Sequence, residues 1–281
     1  MLDPMKRLAR EGHPVTFVDC DSTGQVSAAA IEAALTDQTI LVSVMAANNE
    51  VGTINPTGAI GKLCHERGIV FHCDATQAIG KIPLHVRDQH IDLASLTAHK
   101  LYGPKGIGAL SISRKDPQVR ISPLFDGGGH ERGARSGTLA VPLIVGFGEA
   151  CRIALEERDE EATRIFRLRE RLHAGLLEQI DEIEINGHPT ERVPGNLNLS
   201  FSYVDGEALM MAMRGIAVSS GSACSAASPE PSHVLMAMGV DEDLARASPT
   251  RPATTSRKWA VAGVMARKRR PWKCPSPAMG S

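Results

Sequence analysis

The sequence predicts an α/β fold, with a mostly parallel sheet in a large first domain and a smaller α+β domain after it. Three observations lead to this prediction. Short apolar runs alternate with helical patterns of about ten residues up to residue 125, which is typical of βαβ units. A longer amphipathic pattern occupies residues 141–180. No run of about 18 apolar residues exists to cross a bilayer, although 42% of the chain is hydrophobic.

The first domain is predicted to alternate four strands with two helices. Ser27 is a suitable N-cap for the first helix, and Gly68 is a suitable end for the second. The strands are expected at residues 15–18, 40–45, 69–72 and 91–96, and the helices at 27–35 and 58–67.

The second domain is predicted from the long helical pattern and two shorter elements after it. Residues 196–202 alternate polar and apolar side chains like a strand, and residues 207–213 are expected to form a helix. We therefore divide the chain into a large domain at 1–140, a small domain at 141–248 and a tail at 249–281.

The tail differs from the rest of the chain in charge. Residues 249–281 carry eight basic residues and no acidic one, so the total of −1 leaves −9 for residues 1–248. An acid-free stretch with several prolines is typical of a disordered segment. Binding of single-stranded nucleic acid through residues 267–270 and Trp272 is an alternative that we regard as weaker.

Three predicted strands are followed by polar residues of chemical interest. Asn49 follows the second strand, Asp74 and Gln77 follow the third, and His99 and Lys100 follow the fourth. Functional groups of parallel sheets collect at the carboxyl ends of the strands, so these side chains are expected to face one crevice.

Asp74 and Lys100 together suit pyridoxal phosphate. A lysine amine forms the Schiff base with this cofactor, and an aspartate keeps its pyridine nitrogen protonated. Asn49 and Gln77 could hydrogen-bond the ring, and Thr97 and His99 could reach the phosphate. The alternative is ordinary: an Asp after a strand often caps a turn, and a His-Lys pair often lies in a solvated loop.

Two further segments are rich in small residues. Ser219–Ser228 contains Cys224, and a thiol in an exposed loop can act as a nucleophile once it is ionised, although a plain surface linker fits the composition as well. Gly127–Thr138 offers amides, guanidinium groups and hydroxyls, which are donors for an anion; a solvated glycine loop is the alternative.

The six cysteines are scattered without a C-x-x-C pair, and the first residues lack the apolar region of a secretory signal. Scattered thiols favour a reducing compartment, so a cytoplasmic location is expected.

The polar segments together resemble the cysteine desulfurases, pyridoxal-phosphate enzymes of fold type I in the class-V aminotransferase family. The resemblance covers about residues 1–248. It is carried by residues 48–52, 72–77, 98–106, 127–138 and 219–228.

The resemblance implies a role for each matching residue. Lys100 would bind the cofactor covalently, and Asp74 would hold the ring nitrogen. Cys224 would take sulfur from L-cysteine as a persulfide, leaving alanine, and could transiently ligate an iron–sulfur cluster. Further catalytic or cofactor contacts are implied for Asn49, Gln77, Thr97 and His99, and for Thr138 toward the partner subunit.

The same resemblance implies partners: a second copy of the chain in a homodimer, and an iron–sulfur scaffold or other sulfur acceptor. Two departures limit it. The histidine that stacks on the ring in this family would fall before Met1, and Thr250 stands in register with the arginine that binds the substrate carboxylate. A change of reading frame near Ser248 is one hypothesis for the tail. A binding-only fragment and a selenocysteine lyase are the alternative functions.

Overall fold

A computed structural model describes residues 1–114, 116–213, 231–246, 248 and 250–252. Its first sheet has four strands, β1 Leu41–Met45, β2 Val70–Asp74, β3 Leu93–Thr97 and β4 Gly108–Ile112, which lie side by side in chain order. Strands β1 to β3 are parallel, and β4 is antiparallel to β3. The mostly parallel sheet confirms the predicted fold class.

Helices α1 Leu2–Arg10 and α2 Ala28–Ala34 precede β1, and α3 Thr57–Glu66 lies between β1 and β2. The bounds of α2 and α3 agree with the sequence prediction within one residue, whereas α1 has no counterpart in that prediction. The Ser27 hydroxyl accepts the Ala30 N–H at 3.1 Å, which caps α2. Gly68 adopts a φ of +66° just after α3, a conformation that glycine tolerates at the end of a helix.

The main core lies between the sheet and helices α2 and α3. Phe71, Cys73, Ile60 and Cys64 have no exposed surface there. In β2 the buried positions alternate with half-buried ones, because successive side chains of a strand point to opposite faces. Phe71 and Cys73 therefore face the core, while His72 and Asp74 lie on the other face.

The strand predicted at Val15–Val18 is wrong. These residues have no assigned strand structure, and Phe17 is 48% exposed. A β-rich run becomes a strand only when its backbone groups pair with a neighbour. Here β1 pairs with β2 on one side, and residues 15–18 join neither sheet.

The second unit packs the long helix α4 Val141–Leu177 against a three-stranded antiparallel sheet. Its strands are β5 Ile183–Asn186, β6 Asn196–Phe201 and β7 Thr250–Pro252, and its shorter helices are α5 Gly206–Ala212, α6 His233–Ala237 and α7 Glu242–Arg246. Leu172 and Leu176 of α4 pack against the cluster around Leu197 and Leu199 of β6. Helix α4, strand β6 and helix α5 confirm the elements predicted at 141–180, 196–202 and 207–213.

Both faces of β6 are buried. Its polar face carries Asn198 and Ser200, and the Asn186 amide donates to both at 2.8 Å. Ser200 also shares a 2.6 Å hydrogen bond with Ser248. Strand β7 starts at Thr250, beyond the predicted domain end at 248, and it occupies an edge of the sheet, where proline is tolerated.

The turn after β1 joins the two sheets. Val193 donates its N–H to the Gly52 carbonyl at 3.0 Å, and the Asn196 amide donates to the Glu50 carbonyl at 2.8 Å. Gly52 has a φ of +74°, and a Cβ there would stand 2.5 Å from the Asn196 Cβ. This close approach requires glycine.

Within the described residues, no helix is both long and apolar enough to traverse a lipid bilayer.

Candidate active site

The carboxyl ends of β1, β2 and β3 lie side by side. The register pairs Met45 with Asp74 and Asp74 with Ser95, so Thr97 ends β3 two residues further on. The three polar segments selected from the sequence thus follow neighbouring strands at one edge of the sheet.

Asp74 is the last residue of β2 and is half-buried. Its Oδ1 accepts the Thr76 N–H at 3.0 Å, and its carbonyl accepts the Ala46 N–H at 2.9 Å. Among the described residues, no hydrogen bond engages Asp74 Oδ2. The carboxylate is held in place through one oxygen, and the other can bind a donor.

Thr97, His99 and Lys100 lie at the end of β3 and in the short 3-10 helix Ala98–Leu101 that follows. The Thr97 hydroxyl and the His99 Nδ1 are 2.9 Å apart, which orients the exposed imidazole. The half-buried Lys100 has no hydrogen bond or ion pair to any described residue. Its amine is therefore free to react with a ligand.

Gln77 lies in the first of two overlapping turns after β2, in which the N–H groups of Ile79 and Ile82 donate to the carbonyls of Ala75 and Ala78, respectively. Its side-chain oxygen accepts a 3.0 Å hydrogen bond from the Lys81 ammonium. Burial first, and then the positive charge of Lys100, lower the pKa of Lys81 to about 8. Sequence reasoning missed Lys81; its position four residues after Gln77 was the available signal.

Asn49 is half-buried in the turn after β1. The neighbouring Asn48 shapes this turn, because its Oδ1 accepts the N–H groups of Glu50 at 2.8 Å and Val51 at 3.1 Å. Asn55 adds a second clamp by donating to the Met45 carbonyl at 2.8 Å. These contacts hold Asn49 at the end of β1.

His72 lies on the same face of β2 as Asp74. Its Nδ1 is 2.7 Å from the Ser43 hydroxyl, and its Nε2 is 3.2 Å from the Ser95 hydroxyl. Burial lowers the pKa of His72, although the Asp74 charge acts in the opposite direction. A neutral imidazole therefore bridges β1 and β3 below the strand ends.

Thr138 lies elsewhere, in the exposed loop after β4. It lines a cavity of about 450 Å³ together with His130, Arg135 and Ser136. None of the residues lining this cavity belongs to the strand-end cluster. Thr138 thus lies in a cavity that Lys100 does not line.

Cys224 lies outside the described residues, as does the rest of 214–230. Within the described segments, no group of three or more His, Cys, Asp and Glu side chains could hold a metal ion. The predicted cluster ligand at Cys224 stays a prediction.

Polar groups gathered at the carboxyl edge of a parallel sheet are characteristic of α/β enzymes. The chain belongs to the class-V aminotransferase family, whose model matches residues 1–256. This match confirms the family inferred from the sequence motifs.

The similar proteins include cysteine desulfurases. The cysteine desulfurase IscS of Anaeromyxobacter dehalogenans strain 2CP-C is 58% identical over 248 residues, which cover 88% of this chain and 61% of that protein. A solved NifS-like protein is 39% identical with a TM-score of 0.80, covering 89% of this chain and 66% of its own. A structure described as SspA in complex with cysteine is 33% identical with a TM-score of 0.76, covering 89% and 69%.

The chain thus spans about three fifths of the length of the curated relatives that it matches. The activity, substrate and partners of a whole desulfurase are therefore proposals for this chain.

Proposed function

We propose that this chain carries the cofactor-binding and sulfur-accepting residues of a cysteine desulfurase that uses pyridoxal phosphate. The proposal rests on one observation above all: Asp74 ends β2 and Lys100 follows the end of the neighbouring parallel strand β3, in a chain 58% identical to a cysteine desulfurase. The products would be L-alanine and a persulfide on Cys224.

The donor set of the site fits pyridoxal phosphate. Asp74 offers a carboxylate oxygen for a protonated ring nitrogen, and Lys100 offers an unpaired amine for covalent attachment. Gln77 offers a side-chain amide for the ring oxygen, since its own oxygen already accepts from Lys81. Hydroxyl and imidazole groups at Thr97 and His99 suit a phosphate. When bound, the cofactor supplies an electron sink for the bonds around the substrate α-carbon.

The residues of the chain have separable tasks. Asp74 keeps a positive charge on the ring through its carboxylate, and Lys100 holds the cofactor and moves the proton of the substrate α-carbon. His99 precedes Lys100 in the same short helix and is proposed as a further catalytic residue. Asn49, in the turn after β1, would contact the ring.

Cys224 is proposed as the sulfur acceptor. Its thiolate attacks the sulfur of L-cysteine, an S–S bond forms, and the Cβ–S bond of the substrate breaks. The carbon fragment keeps the bonding electrons, takes up protons and leaves as alanine, while Cys224 becomes a persulfide. A scaffold for iron–sulfur clusters, or another acceptor protein, would then receive the sulfur in the cytoplasm.

A homodimer is proposed as the functional form. Leu124, Phe125, Val141 and Val145 are 92%, 61%, 58% and 65% exposed around the loop that carries Thr138. Clustered exposed apolar side chains are typical of an interface between proteins. The family resemblance implies that Thr138 contacts the cofactor phosphate of the partner subunit, and its position in a cavity away from the strand-end cluster supports this role.

The decisive experiment measures cofactor binding and alanine release in one sample. The purified chain with added pyridoxal phosphate should develop a visible absorption band and form alanine from L-cysteine. Lys100→Ala should lose the band, and Cys224→Ser should keep the band but form no persulfide. A band without alanine would favour a binding-only role, and turnover of selenocysteine without cysteine would favour a selenocysteine lyase.

A further inference from the structure

Lys81 is the candidate that the proposed function leaves unused. It is a half-buried lysine that extends into the strand-end cluster, and its ammonium donates to the Gln77 side-chain oxygen at 3.0 Å. The positive charge of Lys100 is close enough to contribute to the lowered pKa of Lys81. Two amines and one amide thus share a small region beside β2 and β3.

The fold places Lys81 beside Gln77 through a constrained turn. Gly80 adopts a φ of +70°, and a Cβ at this position would stand 2.2 Å from Leu101 Cδ2. Leu101 is buried with Ala98, Phe147 and Ala150 in a small core under the Lys100 turn. The segment carrying Gln77 and Lys81 is therefore packed directly on the segment carrying Lys100.

The hydrogen bond determines the direction of the Gln77 amide. An ammonium group has three donors and no acceptor, so Gln77 must present its oxygen to Lys81. Its NH₂ group is then the end left for a ligand. An amide turned the other way would face the cofactor's ring oxygen with a second acceptor, which would repel it.

We propose that Lys81 is a positioning residue, which holds the Gln77 amide with its NH₂ group toward the ring oxygen of pyridoxal phosphate. This inference rests on the proposed function.

The position of this charge favours a functional role over a stabilising one. Burial lowers the pKa of Lys81 to about 8, so the fold disfavours its charged form. Lys81→Met keeps the length of the side chain and removes the charge and the donor. We expect this variant to melt at the same temperature as the wild-type chain or above it.

The first experiment measures the dissociation constant of pyridoxal phosphate by its visible band in the full chain. Lys81→Met should weaken binding about tenfold, which corresponds to the loss of one hydrogen bond to a charged group. In a Gln77→Ala background the same substitution should have much less effect, because Lys81 acts through Gln77. Lys62→Met is the matched control, since Lys62 lies on α3 with a side chain 70% exposed.

Additive losses in the double variant, or unchanged binding by Lys81→Met, would overturn the inference. A purely structural role would instead lower the melting temperature and give additive losses. Comparing the effect of Lys81→Met on the dissociation constant with and without Gln77→Ala separates these outcomes.

The second experiment needs no cofactor. The side-chain NH₂ signals of Gln77 in an NMR spectrum should move with pH around a midpoint near 8, because Lys81 titrates beside it. The movement should vanish in Lys81→Met and persist in Lys62→Met. If the wild-type chain bound no pyridoxal phosphate, the proposed function would fail, while the Gln77 signals would still decide whether Lys81 holds the amide.

Discussion

The hydroxyl of Ser232 donates a hydrogen bond to the buried carboxylate of Glu50, 182 residues earlier in the chain. Glu50 is 2% exposed in the turn after β1, directly after Asn49. The same hydroxyl accepts the N–H groups of Val234 at 3.2 Å and Leu235 at 3.4 Å, so it also caps α6. One side chain thus ties the second unit to the edge of the sheet that carries the proposed site.

Ser232→Ala should lower the free energy of unfolding by about 2–3 kcal/mol. About 1 kcal/mol is the loss of a helix cap, and the rest is the buried Glu50 carboxylate left with one partner fewer. Urea unfolding measures this difference. Ser27→Ala is the matched control, because Ser27 caps α2 with an exposed hydrogen bond, and it should lose only about 1 kcal/mol. Equal losses at the two positions would mean that the Glu50 contact contributes nothing.

Gly52→Ala should destabilise the fold more than Gly68→Ala. Both glycines have a positive φ, at +74° and +66°, so each substitution costs about 1 kcal/mol in backbone strain. Only at Gly52 does the new Cβ meet another atom, the Cβ of Asn196 at 2.5 Å, whereas nothing lies within 4 Å at Gly68. Thermal melting of the two variants measures the difference. A similar melting temperature for both would contradict the close approach of the two sheets.

His72 should make the fold less stable in mild acid. Its pKa is lowered by burial, so below about 6.5 the unfolded chain takes up a proton that the folded chain resists. This contribution to stability is present above pH 6.5 and is lost as the pH falls through the lowered pKa. Urea unfolding between pH 7.5 and 5 should show a shallower loss in His72→Gln than in the wild-type chain. His13→Gln, at an exposed position, should keep the wild-type slope.

The buried thiols should resist alkylation in the folded protein. Burial raises the pKa of Cys73 to about 12 and that of Cys64 to about 11, and neither side chain has exposed surface. Cys151 is exposed on α4 and should react first among the described thiols. Iodoacetamide at pH 7.5 followed by peptide mass spectrometry tests this order. Fast labelling of Cys73 would show that β2 opens readily.

The elements predicted best are those with both a clear period and a clear end. Helix α3 was located within one residue at each end, because its apolar positions stop at a glycine that can adopt a positive φ. Residues 15–18 have the composition of a strand, but strand formation depends on a pairing partner. Strand β4 was not predicted, since most of its side chains are exposed on both faces and leave no alternating pattern.

The location of the candidate site could be predicted, and its supporting contacts could not. Asp74, Gln77 and Lys100 lie at or just after the carboxyl ends of neighbouring parallel strands. The general rule that functional groups of parallel sheets collect at these ends was enough to predict the site. The Lys81 hydrogen bond depends on how two turns pack, and the Glu50–Ser232 contact joins segments 182 residues apart. The spacing of four residues is the one local signal for the first contact, and no local pattern encodes the second.

The alternation of buried and half-buried side chains along β2 specifies its register against the neighbouring strands. Phe71 and Cys73 face the core while His72 and Asp74 face the other side. A slip of one residue against β1 or β3 would exchange the two sets, burying a carboxylate and presenting a thiol in its place. Such a mispaired chain would lose core packing and the proposed ring-nitrogen partner, Asp74, in one event. The amount of pyridoxal phosphate that a refolding sample binds would therefore measure the fraction of chains with a correctly paired sheet, as well as the fraction with an intact proposed site.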